Sequence, residues 1–192
     1  MNIKSPITNS TNVVLEKEIK TSLIIQRYKK IFSIDVSRFF LDLDYIQIYR
    51  CLDTDYRFYY PFITSGDSSF YESLQVFPWY YMDWKWEYEI VEQFIKPKDK
   101  VLEIGCGKGA FIKNLTKNGI DCTGLELNKD AVIRGKKQGL NILNETVEEH
   151  SKNNFDRYDI VCSFQVMEHI VSIKEFIEHS LYMLKPKGKF IV

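Results

Sequence analysis

The stretch Val101-Leu-Glu-Ile-Gly-Cys-Gly-Lys-Gly109 decides the fold of this chain. Its apolar residues predict a buried strand, and the three glycines, spaced two apart, predict a tight loop before a helix N-terminus. Glycine suits such a loop because it adopts positive φ and lets a ligand approach the backbone. Amide N–H groups and the positive end of the helix would face that ligand. The stretch therefore predicts a site for a nucleotide-type cofactor.

Strand and helix patterns alternate from this stretch to residue 192. Further strands are expected over residues 122–126, 140–143, 158–163 and 188–192, with a long helix over 170–184. Such alternation predicts a parallel sheet with helices on both faces. The predicted fold class is α/β, a Rossmann-like doubly wound and mostly parallel sheet. Because the pattern stops in the fifth strand, we expect the sheet to be incomplete at its C-terminal side.

The sequence before the glycine stretch has a different character. A helix is expected over residues 83–96, and the composition changes there, so we predict an extension over 1–85 and a core over 86–192. Within the extension we expect an amphipathic helix over 13–32 and a small β element within 34–60. The aromatic run over 70–84 is interpreted either as a packed cluster or as a flap over the cofactor site.

Composition excludes several classes of protein. Acidic and basic residues balance at 26 each, which gives no net attraction to nucleic acid or anionic lipid. The four cysteines stand far apart without a C-x-x-C pair, which favours reduced thiols over disulfides or a metal site. Neither a leader segment nor an apolar run of membrane-spanning length is recognised. We therefore expect a soluble cytoplasmic protein that holds no metal.

The glycine pattern fits two cofactors. Gly105-x-Gly107-x-x-Ala110 satisfies the dinucleotide fingerprint, and Gly105-x-Gly107-x-Gly109 satisfies the S-adenosylmethionine pattern. Glu126 follows at the end of the second expected strand, where an acid accepts the hydroxyls of a ribose. Both cofactors carry a ribose, so Glu126 does not separate them.

Four segments, in order, resemble the class I S-adenosylmethionine-dependent methyltransferases. The opening stretch resembles their motif I, and Gly124-Leu-Glu-Leu-Asn128 resembles their ribose-binding motif. Tyr158-Asp-Ile-Val-Cys-Ser-Phe-Gln-Val-Met-Glu-His-Ile170 is similar to their fourth strand and the "EH" segment after it. Leu184-Lys-Pro-Lys-Gly-Lys-Phe-Ile191 is similar to their L-K-P-G-G turn, with Lys187 in place of the first glycine. This resemblance covers residues 86–192, and the family that it indicates includes quinone-type O-methyltransferases. The first half of the chain is similar to the aromatic-rich N-terminal segment of methyltransferases found with bacterial surface-glycan genes.

The resemblance implies a role for each part of the site. Glu103 would face the ammonium group of S-adenosyl-L-methionine, or would only hold the loop by hydrogen bonds. Leu127 and Val147 would enclose the adenine, and the segment 145–149 would meet its polar edge unless its glutamates are simply solvated. The expected cofactor-binding residues are Glu103, Gly105, Cys106, Gly107, Gly109, Glu126, Leu127, Thr146, Val147, Glu148, Phe164 and Gln165.

The reacting end of the site is expected after the fourth strand. Phe164 and Gln165 would flank the methyl group there. His169 is the candidate catalytic base because an unperturbed histidine titrates near neutrality; the alternative is that it caps or packs the following helix. Cys106 and Cys162 would pack against the sheet.

The leading hypothesis is a methyltransferase that uses S-adenosyl-L-methionine on an oxygen or nitrogen of a small-molecule or glycan-linked acceptor. The alternatives are a non-catalytic S-adenosylmethionine-binding module or fragment and an NAD-dependent oxidoreductase. We predict no nucleic-acid partner and no membrane span. A homodimer or a partner chain would cover the edge of the fifth strand, since an exposed edge invites pairing.

Overall fold

The computed structural model describes residues 3–80 and 82–192, so Tyr81 of the aromatic run lies outside the described residues. The chain divides into two compact units. The first consists of Met1–Val76 with Val171–Lys174, and the second of Phe77–Ile170 with Glu175–Val192.

A three-stranded antiparallel sheet is the framework of the first unit. Its strands are β1 (Val13–Lys20), β2 (Tyr45–Cys51) and β3 (Arg57–Tyr60), and β2 lies in the middle. The helices α1 (Thr21–Phe32) and α2 (Ser68–Leu74) follow β1 and β3 in the chain. The small β element expected within residues 34–60 is therefore present as β2 and β3.

The helix expected over residues 13–32 is wrong in its first part. Val13–Lys20 is a strand, and α1 begins only at Thr21. β1 pairs with β2 from Val13 opposite Cys51 to Lys20 opposite Tyr45, with one register shift between Leu15 and Lys17. Pairing with a strand elsewhere in the chain overrides the local helical pattern, because β preference depends on cross-strand neighbours.

Aromatic residues of the run over 70–84 have two different environments. In the first unit Phe70 packs against Tyr28 and Phe39, with ring centroids 5.7 and 5.6 Å apart. In the second unit the tryptophan side chains stay open to solvent, with 47, 57 and 61% exposure at Trp79, Trp84 and Trp86. The run is thus partly a packed cluster and partly an exposed aromatic surface.

The second unit is built on a five-stranded parallel sheet. Its strands are β4 (Lys100–Ile104), β5 (Asp121–Leu125), β6 (Ile142–Leu143), β7 (Tyr158–Ser163) and β8 (Leu184–Ile191). They lie in the order β6-β5-β4-β7-β8, and every pair is parallel. The helices that alternate with them are α3 (Trp86–Glu92), α4 (Ala110–Lys117), α5 (Lys129–Lys137), α6 (Val147–Ser151) and α7 (Ile173–Tyr182). The predicted parallel α/β fold is confirmed.

Several element boundaries differ from the expectation, and the largest differences are in α3 and β8. α3 covers Trp86–Glu92 rather than residues 83–96, and β8 begins at Leu184 rather than at residue 188. β8 stands last in the strand order and carries Pro186 and three lysines. Charge and proline on an edge strand oppose its pairing with another chain. Among residues 3–80 and 82–192, no helix is both long and apolar enough to cross a membrane.

Gly124 in β5 sets how closely α4 approaches the sheet. A Cβ built at this position would overlap with the Cδ1 atom of Ile112 and with the sulfur of Cys106. Both neighbours are buried in the core cluster that also contains Phe111 and Phe164. The absence of a side chain at Gly124 therefore lets α4 and the glycine loop pack directly on β5.

We expect Gly124→Ala to lower the free energy of unfolding by about 1–3 kcal/mol, the usual cost of overpacking. Urea unfolding measures this change. Ile112→Val removes the Cδ1 atom and alone should cost about 0.5–1.5 kcal/mol. If the crowding is the cause, the double variant should be more stable than the sum of the two single losses predicts. Additive losses of stability would show that crowding against Ile112 is not the cause.

Candidate functional site

The strand order reverses beside β4. After β4 the chain adds β5 and β6 on one side of the sheet, and then β7 and β8 on the other. Ligands of open parallel sheets bind at this point, in the crevice outside the carboxyl ends of the two strands. Ile104 of β4 lies opposite Ser163 of β7, so the crevice opens where Gly105 and Phe164 begin their loops.

The loop after β4 requires its glycines. Gly105, Gly107 and Gly109 have φ angles of 74°, 56° and 77°, a region that disfavours residues with a Cβ. Gly105 is also crowded, because a Cβ there would overlap with the side chain of Val166 in the loop after β7. The glycine spacing read from the sequence thus has a conformational cause in the structure.

The amides of this loop are hydrogen-bonded within the protein. The N–H groups of Gly105 and Cys106 donate to the carbonyl oxygen of Leu125, at 2.9 and 3.0 Å. The Gly109 N–H donates to the Cys106 carbonyl at 2.9 Å, and the Gly107 N–H donates to the Glu126 carboxylate at 2.8 Å. These four donors are therefore already used and do not form a cradle for phosphate.

Glu103 is a buried acid beneath the loop. Its side chain is 2% exposed, and its Oε2 atom has no hydrogen-bond partner among the described residues. Burial raises the pKa of Glu103 to about 8, the charge of Lys85 acts against this rise, and Glu126 adds to it. A buried carboxyl group without a partner favours a cationic ligand, which would supply both the missing hydrogen bond and the counter-charge.

Glu126 joins the glycine loop to the end of β5. One carboxylate oxygen accepts from the Gly107 N–H at 2.8 Å, and the other accepts from the Asn128 N–H at 2.7 Å. Each oxygen of an ionised carboxylate has a second lone pair, so Glu126 can also accept from a ribose. Tyr80 lies near enough that the charge of Glu126 adds to the effect of burial in raising the Tyr80 pKa.

The residues expected around the adenine come together after β5 and β6. The Asn144 side chain donates to the carbonyl oxygens of Glu126 and Leu127, at 2.9 and 3.0 Å. Leu127 is 65% exposed, whereas Val147 is buried at the start of α6. Asn144 thus connects the two loops, of which one carries an exposed apolar side chain and the other a buried one.

A capping box fixes the start of α6. The Thr146 hydroxyl accepts from the Glu149 N–H at 3.1 Å, and the Glu149 carboxylate accepts from the Thr146 N–H at 2.9 Å. The Glu149 carboxylate is therefore used to cap the N-terminus of α6. Glu148 is half-buried and is the glutamate of this turn left for a ligand.

Sequence reasoning gave no role to His150, which the structure places in a buried hydrogen-bonded chain. Its Nδ1 atom lies 2.7 Å from the Glu145 carboxylate, and its Nε2 atom lies 2.8 Å from the Tyr158 hydroxyl. A carboxylate accepts only, so Nδ1 carries the proton and Nε2 accepts from Tyr158. These two hydrogen bonds hold the segment that begins at Glu145 against the start of β7.

Two of the expected site residues direct their side chains into the core. Cys106 is 6% exposed, and burial raises its pKa, so its thiol is neither a ligand nor a nucleophile. The Phe164 ring packs edge-on against Tyr88 and Phe111, with centroids 5.1 and 5.3 Å away. Cys106 and Phe164 therefore offer the crevice their backbone rather than their side chains.

The loop after β7 carries the remaining expected residues. Gln165 has a φ of 56° and is exposed, and its Nε2 atom donates to the Glu87 carboxylate at 3.3 Å. His169 ends a short 3-10 turn (Met167–His169) and is also exposed, with its Nε2 atom 3.9 Å from the Glu168 carboxylate. In the part of the chain that the structure describes, no group of three or more acidic, histidine or cysteine side chains is placed to hold a metal.

The sequence did not predict that α3 and the residue before it contribute to the candidate site. Lys85 and Glu87 are half-buried, whereas Trp84 and Trp86 are exposed. Lys85 acts electrostatically on Glu103, and Glu87 binds Gln165. The signal available in the sequence was the alternation of charged and aromatic residues from Trp84 to Glu87.

Comparison with known proteins identifies related chains. Residues 79–192 match the family model described as a methyltransferase domain. The ubiquinone biosynthesis O-methyltransferase of Salmonella paratyphi A is 29% identical over 96 residues, which cover 47% of this chain and 40% of that protein. The same enzyme of Serratia proteamaculans is 30% identical over 94 residues, covering 46% and 39%. The chain thus spans about two fifths of the length of these curated relatives.

A solved structure supports the same fold. The PH0226 protein from Pyrococcus horikoshii OT3 superposes with a TM-score of 0.54 at 21% identity, over 66% of each chain. Identity this low shows the fold alone. Because the family model matches more than half of the residues, the family indicated by the four motifs is confirmed. The chain belongs to the methyltransferase-domain family, whose cofactor is S-adenosyl-L-methionine.

Proposed function

We propose that this chain transfers the methyl group of S-adenosyl-L-methionine to a hydroxyl oxygen of a small-molecule acceptor. The observation that carries the proposal is the buried Glu103 carboxyl group, whose Oε2 atom has no partner among the described residues. Glu103 lies in β4, two residues before the glycine loop, and the strand order reverses beside this strand. A cationic cofactor fits there, and S-adenosyl-L-methionine carries both an ammonium and a sulfonium group.

The residues present fit this cofactor. Glu103 would accept a hydrogen bond from its ammonium group, and Glu126 would accept from the ribose hydroxyls. Leu127 would cover the adenine over Val147, with Thr146 and Glu148 at its polar edge. Gly105, Gly107 and Gly109 would let the cofactor approach the backbone closely and would not offer it free amide donors. When bound, the cofactor supplies an electrophilic methyl group.

The geometry disfavours the dinucleotide alternative. A pyrophosphate needs free backbone amides and a positive surrounding. The N–H groups of Gly105, Cys106, Gly107 and Gly109 are hydrogen-bonded within the protein, so a pyrophosphate would find none of these four donors free.

The relatives support oxygen as the acceptor atom. The two curated relatives named above are O-methyltransferases of ubiquinone biosynthesis. A hydroxyl must lose its proton during transfer, and His169 in the loop after β7 is the residue that we propose removes it. A glycan-linked hydroxyl fits the same chemistry as a free small molecule. Self-association through the β8 edge stays a prediction.

Thermal unfolding with two ligands tests the proposed cofactor. S-adenosyl-L-methionine at 100 times its dissociation constant should stabilise the native state by about 2.7 kcal/mol. For a chain of this size, that corresponds to a rise in Tm of roughly 5–10 °C. NADH at equal concentration should leave Tm unchanged. Stabilisation by NADH alone would contradict the assignment, and stabilisation by S-adenosyl-L-methionine without methyl transfer to any hydroxyl acceptor would indicate a binding module.

Cofactor affinity should increase with pH. Because burial raises the pKa of Glu103 to about 8, this carboxyl group is mostly protonated at neutral pH in the free protein. Only the carboxylate pairs with an ammonium group, so binding releases a proton. Between pH 6 and 7.5 the dissociation constant should fall by up to about tenfold per pH unit.

Calorimetry in buffers of different ionisation enthalpy measures the released proton. Glu103→Gln should bind more weakly and lose both the proton release and the pH dependence. Glu175→Gln, at an exposed position on α7, should behave like the wild type. Retention of the proton release by Glu103→Gln would show that another group titrates.

We expect His169→Gln to lower kcat by roughly 100-fold or more, the usual contribution of a general base. The dissociation constant of S-adenosyl-L-methionine should not change. The loss of wild-type activity at low pH, where a general base becomes protonated, should disappear. His179→Gln is the matched control, because His179 lies on α7 and bonds to Ser151 instead. A variant at position 169 with a wild-type profile would mean that His169 only packs its loop.

A further inference from the structure

Gln165 and Glu87 form a hydrogen bond at the reacting end of the crevice. The Gln165 Nε2 atom lies 3.3 Å from the Glu87 carboxylate. Glu87 belongs to α3 and is half-buried, whereas Gln165 follows β7 and is exposed. Both residues belong to the second unit. The bond therefore connects α3 to the loop that starts at the point where the strand order reverses.

The backbone of Gln165 is held in an unusual conformation. Its φ of 56° lies in the left-handed region, which residues with a Cβ rarely adopt. The next residue, Val166, packs so closely over Gly105 that a Cβ on Gly105 would overlap with it. The preceding residue, Phe164, turns its ring into the core. The left-handed turn thus leaves the Gln165 side chain exposed, between a core residue and one that packs on Gly105. Strained residues of this kind concentrate at functional sites.

The chemistry of the pair fixes the orientation of the Gln165 amide. An ionised carboxylate only accepts hydrogen bonds, so Glu87 must face the NH2 group of Gln165. The carbonyl oxygen of Gln165 then points away from Glu87. In residues 3–80 and 82–192 no donor reaches this oxygen. It remains available as an acceptor on an exposed side chain in the loop after β7.

We propose that Glu87 is a positioning residue that turns the Gln165 carbonyl oxygen toward the acceptor molecule and so selects acceptors that carry a hydroxyl. This inference rests on the proposed function, since it names what the methyl-transfer site recognises. A hydroxyl donates to the carbonyl, whereas the methyl ether formed by transfer has no hydrogen to donate. The same contact that retains the substrate is therefore lost in the product.

Binding of two simple aromatic probes tests the proposal. Isothermal calorimetry on the protein saturated with S-adenosylhomocysteine compares catechol, which has hydroxyls, with 1,2-dimethoxybenzene, which has none. The wild type should prefer catechol by about 3- to 10-fold, the usual effect of one hydrogen bond between neutral groups. Gln165→Leu should lose this preference.

Variants of Glu87 separate positioning from simple contact. In Glu87→Gln the neighbour can both donate and accept, so the Gln165 amide is free to turn and the preference should fall to about twofold or less. The exchanged pair Glu87→Gln with Gln165→Glu should restore the preference, because a carboxylate at position 165 always accepts. Glu89→Gln, on the exposed side of the same helix, is the matched control and should keep the wild-type preference.

The outcomes distinguish this inference from the proposed function. A preference that survives both Glu87→Gln and Gln165→Leu overturns the role of the pair, and so does a wild-type protein that shows no preference or binds neither probe. A preference that behaves as expected in a protein that never forms S-adenosylhomocysteine from S-adenosyl-L-methionine would support the pair and refute methyl transfer. Equal Tm values among the variants exclude misfolding as the cause.

Discussion

The buried carboxyl group of Glu103 imposes the strongest constraint on the second unit. Leaving a polar atom unpaired in the interior costs about 1–3 kcal/mol, and β4 holds the residue there between β5 and β7. The same burial weakens the competition of water, so a cation that reaches Glu103 is bound strongly. Within the protein, the charge of Lys85 opposes the rise in the pKa of Glu103. The proposed binding of a cationic ligand therefore depends on the burial of Glu103 without a partner among the described residues.

The glycine loop is adapted to this constraint. Its amides are directed to Leu125 and Glu126, so the loop is fastened to β5 rather than left open to an anion. Positive φ at Gly105 and Gly107 allows this closure. Glu126 connects the loop to the residues after β5, and Asn144 extends the connection to the loop after β6. One hydrogen-bonded frame therefore holds the parts of the site that come from three strands.

Local patterns predicted the second unit well and the first unit less well. The strand over residues 158–163 was predicted at its observed bounds. A strand that is buried on both faces is a short apolar run, and such a run is visible in the sequence. Val13–Lys20 was expected to be helical and is a strand, because its partner is β2 and no local pattern reports that pairing. Phe164 was expected beside the methyl group, yet its ring lies in the core with Phe111. Which face a side chain takes after a strand depends on a turn that the sequence does not reveal.

The sequence by itself determined the alternation of strands and helices in the second unit, the glycine loop and the acids at Glu103 and Glu126, because each follows from residues adjacent in the chain. Only the tertiary structure decided that the loop amides are already bonded and that Glu103 is buried without a partner. It also decided that Glu87 holds Gln165, two residues on different elements. The sheet order brings β4 and β7 together, and it is set by packing across the whole unit. Contacts between residues far apart in sequence therefore shape the reacting end of this site.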